Sequence, residues 1–418
     1  MFRVFKSQEL RRKIFFTIVV IVIFRLLAHI PVPGVDSSAI KSYLQSSTFF
    51  GFFDLFSGGG FQNFSIVTLG LGPYINASII IQLLTMLIPS LEEMSKEGEY
   101  GQEKINSYTK LLTVPMAFIQ SYGIYFLLSK QSVISSLDPI GLIILLLTFT
   151  AGTLFLVWLG DLVTEKGVGN GVSLLIFVSI ISRLPASLLV TITRMLDSGW
   201  QEALVLLIIS LLIIIGVVLV NEGTRNIPLE YGRRGERSQK VTNYLPIKIN
   251  QAGVIPIIFA VSIVSIPGLI GGPFMASDNV KLKAIGTFLT TNFHSETFSY
   301  NLIYFLMVVA FTFFYTFVQF KPEKIADDIK KRGGFVPGVR PGGSTAEYLK
   351  KIITRVTLSG AVFLGVIAIL PYFVQKVFGI SSMMIGGSSI LIVVSVVLET
   401  VRQVESLMVT RSYEKFLG

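Results

Sequence analysis

The stretch LFSGGGFQNFSIVTLGLGPYINASIIIQLLTMLIPS, from Leu55 to Ser90, carries no charged residue. At about 36 positions it exceeds the roughly 20 that one membrane-spanning helix needs. Gly58, Gly59, Gly60, Gly70, Gly72 and Pro73 nevertheless interrupt it near its middle. Glycine costs about 1 kcal/mol per helical position and an internal proline about 3. The sequence therefore predicts a short half-helix (about Gly60 to Thr68), a break, and a true span from Pro73 to Pro89. Broken backbone at membrane depth survives only where protein or water satisfies its open N–H and C=O groups. The break thus predicts a water-accessible interior, with the first half able to move in it.

The rest of the chain fits a membrane solvent. Only 14% of its 418 residues are charged against 52% hydrophobic, and the mean hydropathy is +0.71, too few charges to cover a water-facing surface. Ten spans are expected: about Ile14 to Ile30, Pro73 to Pro89, Leu111 to Leu128, Ile140 to Gly160, Val172 to Leu184, Ala203 to Val220, Val254 to Ile270, Tyr300 to Phe320, Val356 to Phe373 and Met384 to Leu398. Leu146, within the fourth, is expected on the lipid side. An even count puts both termini on one side of the membrane. Alternating the sides places roughly 27 Lys and Arg with the termini and roughly 7 opposite, and Arg25 inside the first span, so the termini are expected in the cytoplasm. No other register separates the charges as well. After Phe24 the first apolar segment meets Arg25, Pro31 and Pro33 without a small-residue cleavage site, so no cleavable signal peptide is expected.

Two long cytoplasmic loops concentrate the basic residues. Residues 222–250 hold Arg225, Arg233, Arg234, Arg237, Lys240 and Lys248, and residues 321–351 hold Lys330, Lys331, Arg332, Arg340 and Lys350. Positive-inside bias and attraction to anionic lipid explain the charge. They do not explain GFVPGVRPGG, Gly334 to Gly343, whose prolines and glycines shape a rigid turn that presents Arg340. The pattern points to a docking tip for a large cytosolic partner, with phosphate as one target if that partner is a nucleoprotein such as a ribosome. The segment LEEMSKEGEYGQEKINSYTK, Leu91 to Lys110, is acidic and polar and is expected to be a solvated connector.

Several chemistries are disfavoured. The chain has no cysteine, hence no thiol nucleophile or thiolate-bound metal, and its two histidines are His29 and His294. GVGNGVS, Gly167 to Ser173, lacks a preceding strand and reads as a tight turn rather than a nucleotide loop. ATP-driven work must therefore come from another chain. Ionisable residues are nearly absent within the spans, which offer Ile, Val and Leu with scattered Asn76, Gln82, Asn250 and Gln251. A narrow aliphatic collar would line a pore that grips no solute and limits leakage by dewetting, but periodicity alone cannot select its residues. A secondary transporter with a discontinuous helix is the alternative, and it would need a buried ion or substrate set. An intramembrane enzyme would need a catalytic pair at membrane depth. Neither set is evident.

The motifs IPVPGVD (Ile30 to Asp36), LFSGG (Leu55 to Gly59), PYINASIIIQLL (Pro73 to Leu84), GVGNGVS, QAGVIPIIFA (Gln251 to Ala260), FVPGVRPG (Phe335 to Gly342) and GGSSILIVV (Gly386 to Val394) occur in an order that resembles the SecY family over nearly the whole chain. The resemblance implies an all-α polytopic membrane protein, ten transmembrane helices in two pseudo-symmetric halves of five around an hourglass pore. The halves would be residues 1–194 and 195–418. It implies a channel that passes unfolded secretory polypeptides and releases hydrophobic segments sideways into the lipid bilayer. Read onto this chain, the pore ring falls on Leu71, Ile75, Val172, Ile176, Ile258 and Ile392, where leucine and valine at two positions keep the collar apolar. The plug falls on residues 57–68, with Ser57, Gly58, Gly59, Gly60, Phe61 and Phe64. A lateral gate would lie between the second and third spans on one side and the seventh and eighth on the other, with Asn76, Gln82 and Gln120 among its polar members. Partner docking falls on Arg233, Arg234, Arg237, Lys240, Lys330, Lys331, Arg332 and Arg340. Expected partners are SecE-like and SecG-like small membrane subunits, a SecA-like motor ATPase, the ribosome, signal sequences and nascent polypeptides. No catalytic residue, cofactor or metal is expected. The implied location is the bacterial plasma (inner) membrane, with a plastid thylakoid membrane as the alternative.

Overall fold

A computed structural model describes residues 8–32, 57–130, 133–134, 137–182, 185, 200–231, 243–275, 279–294, 296–378 and 387–417. Its helices are α1 (Gln8–Leu27), α2 (Gly72–Leu87), α3 (Pro89–Lys96), α4 (Glu99–Lys130), α5 (Pro139–Lys166), α6 (Gly171–Ser182), α7 (Trp200–Glu222), α8 (Ile255–Met275), α9 (Val280–Asn292), α10 (Phe298–Gln319), α11 (Pro322–Lys331), α12 (Gly343–Phe378) and α13 (Gly387–Leu417). Each of the ten expected spans falls on one of them. Among the described residues, five helices are long and apolar enough to cross a membrane alone, and the bent pair α2–α3 makes a sixth.

Two expectations need correction and one gains detail. The segment expected to be a solvated connector is largely exposed and mostly helical: α2 bends by 101° into α3 at Ile88 and Pro89, and α4 begins at Glu99, well before Leu111. Gly98, at φ 79°, supplies the left-handed residue that lets α3 end and α4 start. The half-helix expected over Gly60 to Thr68 is instead a run of turns. Gly58, Gly59 and Phe64 have φ of 65°, 87° and 46°, and a backbone visiting the left-handed region that often cannot keep a right-handed ladder. Leu146 is buried, at 5% exposure, while the adjacent Leu147 is 56% exposed and takes the outward position.

The chain divides into two compact units. The first comprises Met1–Arg194, Ser265–Thr297 and Val396–Gly418. Its core gathers Val32, Phe61, Phe64, Leu69, Ala117, Ile124, Leu128, Ile134, Leu145 and Phe149, so the turn segment after Ser57 packs directly on α4 and α5. The exposed pair Lys110 and Asp161, 2.7 Å apart, ties α4 to α5 at its other end. Helix α9 was not anticipated, because six polar residues among thirteen leave its apolar run short.

The second unit comprises Met195–Val264 and Phe298–Ser395. Helices α10 and α12 lie side by side within it. Beneath them the two basic loops fold together rather than standing as separate excursions. Strand β1 (Thr224–Tyr231) pairs antiparallel with β2 (Asn243–Lys248) and with β3 (Gly334–Phe335), giving a three-stranded sheet in the order β2-β1-β3. Ile227 and Leu229, two residues apart on one sheet face, join Ile247, Ala326, Ile329, Val336, Leu349 and Ile353 in a core of their own. The long loops are thus a small folded platform.

Candidate functional site

The segment expected to be the plug, residues 57–68, is held by the strand that leaves α1. Pro31 and Ser65 form an antiparallel bridge, flanked by Val32 N–H donating to Phe64 O at 2.9 Å and Ile66 N–H donating to Ile30 O at 3.1 Å. Asn63 Nδ2 donates to Ala28 O at 3.2 Å, and Arg25 Nη1 donates to Gly58 O at 2.6 Å. Within the segment, Ser57 Oγ accepts from Phe61 N at 3.0 Å, Ser65 Oγ accepts from Val67 N at 3.3 Å, and the Thr68 hydroxyl donates to the carbonyl of Gly60 and, more closely, to that of Ser65. Close approach fixes two glycines: a Cβ on Gly60 would lie 2.8 Å from Ser65 Oγ, and one on Gly152 of α5 would lie 2.0 Å from Ile66 O. A segment so laced is a seated element rather than a loose loop.

Four of the expected ring positions come in pairs along one helix face. Leu71 and Ile75 sit one turn apart, as do Val172 and Ile176, and residues i and i+4 share a helix face. Pro73 in the first turn of α2 helps set where that helix starts. Asn170 does the same for α6, its side-chain oxygen accepting from Ser173 N at 3.0 Å. Leu71, Ile75 and Ile176 are buried, while Val172 is half-buried and rests against Gly160 of α5. These four belong to the first unit; Ile258 on α8 and Ile392 on α13, both buried, belong to the second.

Of the residues expected at the gate, Asn76 and Gln82 lie on α2 and Gln120 on α4, neighbouring helices of the first unit. Gln120 Oε1 lies opposite the start of α2, 3.8 Å from where a Gly72 Cβ would be. Gln82 Nε2 donates to Ser78 Oγ at 3.4 Å, while its buried Oε1 has no hydrogen-bond partner among the described residues. An orphaned buried acceptor costs about 1–3 kcal/mol.

On the platform the expected docking residues Lys330, Lys331, Arg332 and Arg340 are all exposed. The tip is a turn from Val336 to Val339, closed by Val339 N–H donating to Val336 O at 3.0 Å. Pro337 takes its second place and Gly338, at φ 80°, its third, the chemistry a type II turn demands. Arg340 O accepts from the buried Thr345 hydroxyl at 2.9 Å, which anchors the backbone and leaves the guanidinium outward. Arg233, Arg234, Arg237 and Lys240 lie outside the described residues.

Reading the sequence alone missed the partners of several of these groups. Arg25 stood out as an ion inside a span, but its acceptor 33 residues away did not. Nor did the polar relay in the second unit, where Asn250 Nδ2 donates to Asn221 Oδ1 and Asn221 Nδ2 donates to Ser395 Oγ, both at 2.8 Å. The clue for both was a polar side chain in an apolar run.

Helices long and apolar enough to cross a membrane, a turn segment seated among them and a folded basic platform make this a polytopic helical membrane protein. The chain belongs to the SecY family, whose family model matches residues 65–401. The protein translocase subunit SecY of Streptomyces galbus is 41% identical over 434 residues, covering 99% of this chain and 98% of that one. Two solved channels share the fold. One is a SecY whose plug domain stabilises the closed state and maintains a membrane seal (TM-score 0.67, 20% identity, 95% of this chain and 92% of that). The other is Sec61 in the canine ribosome-channel complex of the endoplasmic reticulum (TM-score 0.61, 18% identity, with the same coverages).

Proposed function

We propose that this chain is the pore-forming subunit through which unfolded secretory polypeptides cross the membrane and from which apolar segments leave sideways into lipid. The observation that carries the reading is the packing of residues 57–68 on α4 and α5, directly before the buried Leu71 and Ile75, in a chain of the SecY family. Ile258 and Ile392 complete the ring in this reading. A wall of branched aliphatic side chains binds no particular sequence and tolerates any, which passage of unrelated polypeptides requires. Residues 57–68 act as the plug, and Asn76, Gln82 and Gln120 line the gate. The ribosome and a SecA-like motor ATPase seat on the platform through Lys330, Lys331, Arg332 and Arg340, and through Arg233, Arg234, Arg237 and Lys240. The chain itself performs no catalysis and holds no cofactor. SecE-like and SecG-like subunits accompany it in the bacterial plasma membrane, or in a thylakoid membrane if the source is a plastid, and both termini face the cytoplasm.

The test exploits the lack of native cysteine. Ile258→Cys is offered to a stalled secretory chain carrying one cysteine, with Leu147→Cys as the outward control. Disulfide formation at residue 258 and none at 147 is the expected result. An engaged complex that fails to react at residue 258 overturns the ring.

A further inference from the structure

We propose that Arg25 is the latch of the closed channel, a positioning residue whose guanidinium holds the start of the plug against α1 until a polypeptide enters. The inference rests on reading residues 57–68 as the plug. An ion within a span is costly and must be compensated. Among the described residues no carboxylate lies within ion-pair distance of Arg25, whose side chain instead donates from Nη1 to Gly58 O at 2.6 Å. Such charge-assisted bonds are short and roughly twice as strong as neutral ones.

The acceptor is built for this contact. Gly58 takes φ 65°, and a Cβ there would lie 3.0 Å from Phe24 Cζ and 3.2 Å from Ser179 Oγ. A glycine is therefore needed to present that carbonyl to α1. The segment's hydrogen bonds to Ala28, Ile30 and Val32 are neutral: Asn63 to Ala28 O, Phe64 O from Val32 N, and Ile66 N to Ile30 O. Arg25 supplies the charged contact, at the opposite end of the segment from the Pro31–Ser65 bridge. Plug departure strips the guanidinium of its acceptor, so opening waits on water or a substrate able to replace it.

The bridge also supplies an independent clamp. Because hydrogen bonds flank it on both sides, Pro31 and Ser65 are a non-hydrogen-bonded antiparallel pair, with Cα atoms about 4.5 Å apart in such pairs and within the roughly 4.4–6.8 Å a disulfide accepts. The full chain with its small membrane subunits is placed in planar bilayers and its resting ion conductance recorded. Arg25→Gln is expected to raise conductance on the order of tenfold, the effect of losing one hydrogen bond to a charged group. Arg25→Lys, a shorter point charge, is expected to fall between. Oxidising Pro31→Cys/Ser65→Cys in the Arg25→Gln background is expected to restore the seal, and reductant to reopen it. Parental conductance in Arg25→Gln, with the clamp still blocking polypeptide passage, overturns the latch and leaves the plug standing. A clamp that forms but does not hinder passage overturns the plug reading and the latch with it. If Arg25→Gln fails to assemble, Arg25→Lys decides: conductance above parental supports the latch, and parental conductance overturns it.

Discussion

Phe64 and Phe149 meet edge to face, with ring centroids 5.2 Å apart and planes inclined at 70°. Phe64 belongs to the turn segment and Phe149 to α5, and both are at most 1% exposed. The positive edge of one ring meets the negative face of the other, a geometry worth about 0.5–1.5 kcal/mol beyond burial. The contact holds Phe64 at φ 46°, a conformation that a bulky side chain avoids unless its surroundings fix it.

Removing either ring should therefore unseat the segment. Phe64→Ala is expected to cost about 3–5 kcal/mol of seating energy by lost transfer and residual cavity, and Phe64→Leu clearly less. Conductance recordings without substrate check this: current should rise in the order parental, Leu, Ala. An unchanged current for Ala would show that the ring does not hold the segment.

Gly152 makes the complementary prediction from the opposite sign of packing. Its missing side chain leaves room for Ile66 O, which would sit 2.0 Å from an added Cβ. Backbone on both sides cannot yield cheaply, so Gly152→Ala is expected to cost about 1–3 kcal/mol and to push residues 65–67 away from α5. The readout is the oxidation yield of Pro31→Cys/Ser65→Cys, which should fall when Gly152→Ala is added.

What the sequence made legible follows from how many residues carry each signal. Spans such as α5 and α8 are visible because every turn of such a helix must be apolar to cross lipid. The broken stretch was visible as broken, because Gly58 to Gly60 and Gly70 to Pro73 are stop signals on any scale. Its conformation was not, because whether Gly58, Gly59 and Phe64 adopt positive φ depends on Arg25, Ser179 and Phe149, which are distant in sequence. The platform sheet did leave a trace, in the alternation Ile227/Leu229 and Leu245/Ile247, but four residues of period two in a polar loop weigh little beside ten apolar runs. The ring had no sequence signal of its own, since Leu71 and Ile75 look like any other aliphatic residues of a span, and only the family resemblance named them.

At the platform, Arg340 separates charge from fold. Its turn is closed by Val339 N–H to Val336 O and by the Thr345 hydroxyl to Arg340 O, neither of which uses the guanidinium. Arg340→Glu is therefore expected to leave thermal stability unchanged while weakening binding of the motor or ribosome by about tenfold at low salt, and less as screening grows. Titration of proteoliposomes at two ionic strengths measures the binding, and a thermal melt of the same preparation measures the stability. A loss independent of salt would mean that the tip acts through shape.

The relay Asn221–Asn250 joins three elements of the second unit. Asn250 is 5% exposed and follows β2; its amide donates to Asn221 Oδ1 at the end of α7 and to Gly253 O in the turn leading into α8, and Asn221 donates onward to Ser395 of α13. Nearby, Ile249 O faces Gly360 of α12, where a Cβ would approach to 2.6 Å. The turn is therefore pinned on one side by amides and on the other by close backbone contact. Asn250→Leu removes the donor and sets an apolar side chain against Asn221 Oδ1, so a loss of about 1–3 kcal/mol is expected. Asn250→Asp keeps the shape but replaces the donating amide with a carboxylate that faces two acceptors, and it should cost more. Thermal unfolding of the detergent-solubilised protein should rank parental above Leu and Leu above Asp. Equal midpoints for parental and Leu would show that the amide bonds merely replace their unfolded-state counterparts, and that the Gly360 contact alone fixes the turn into α8.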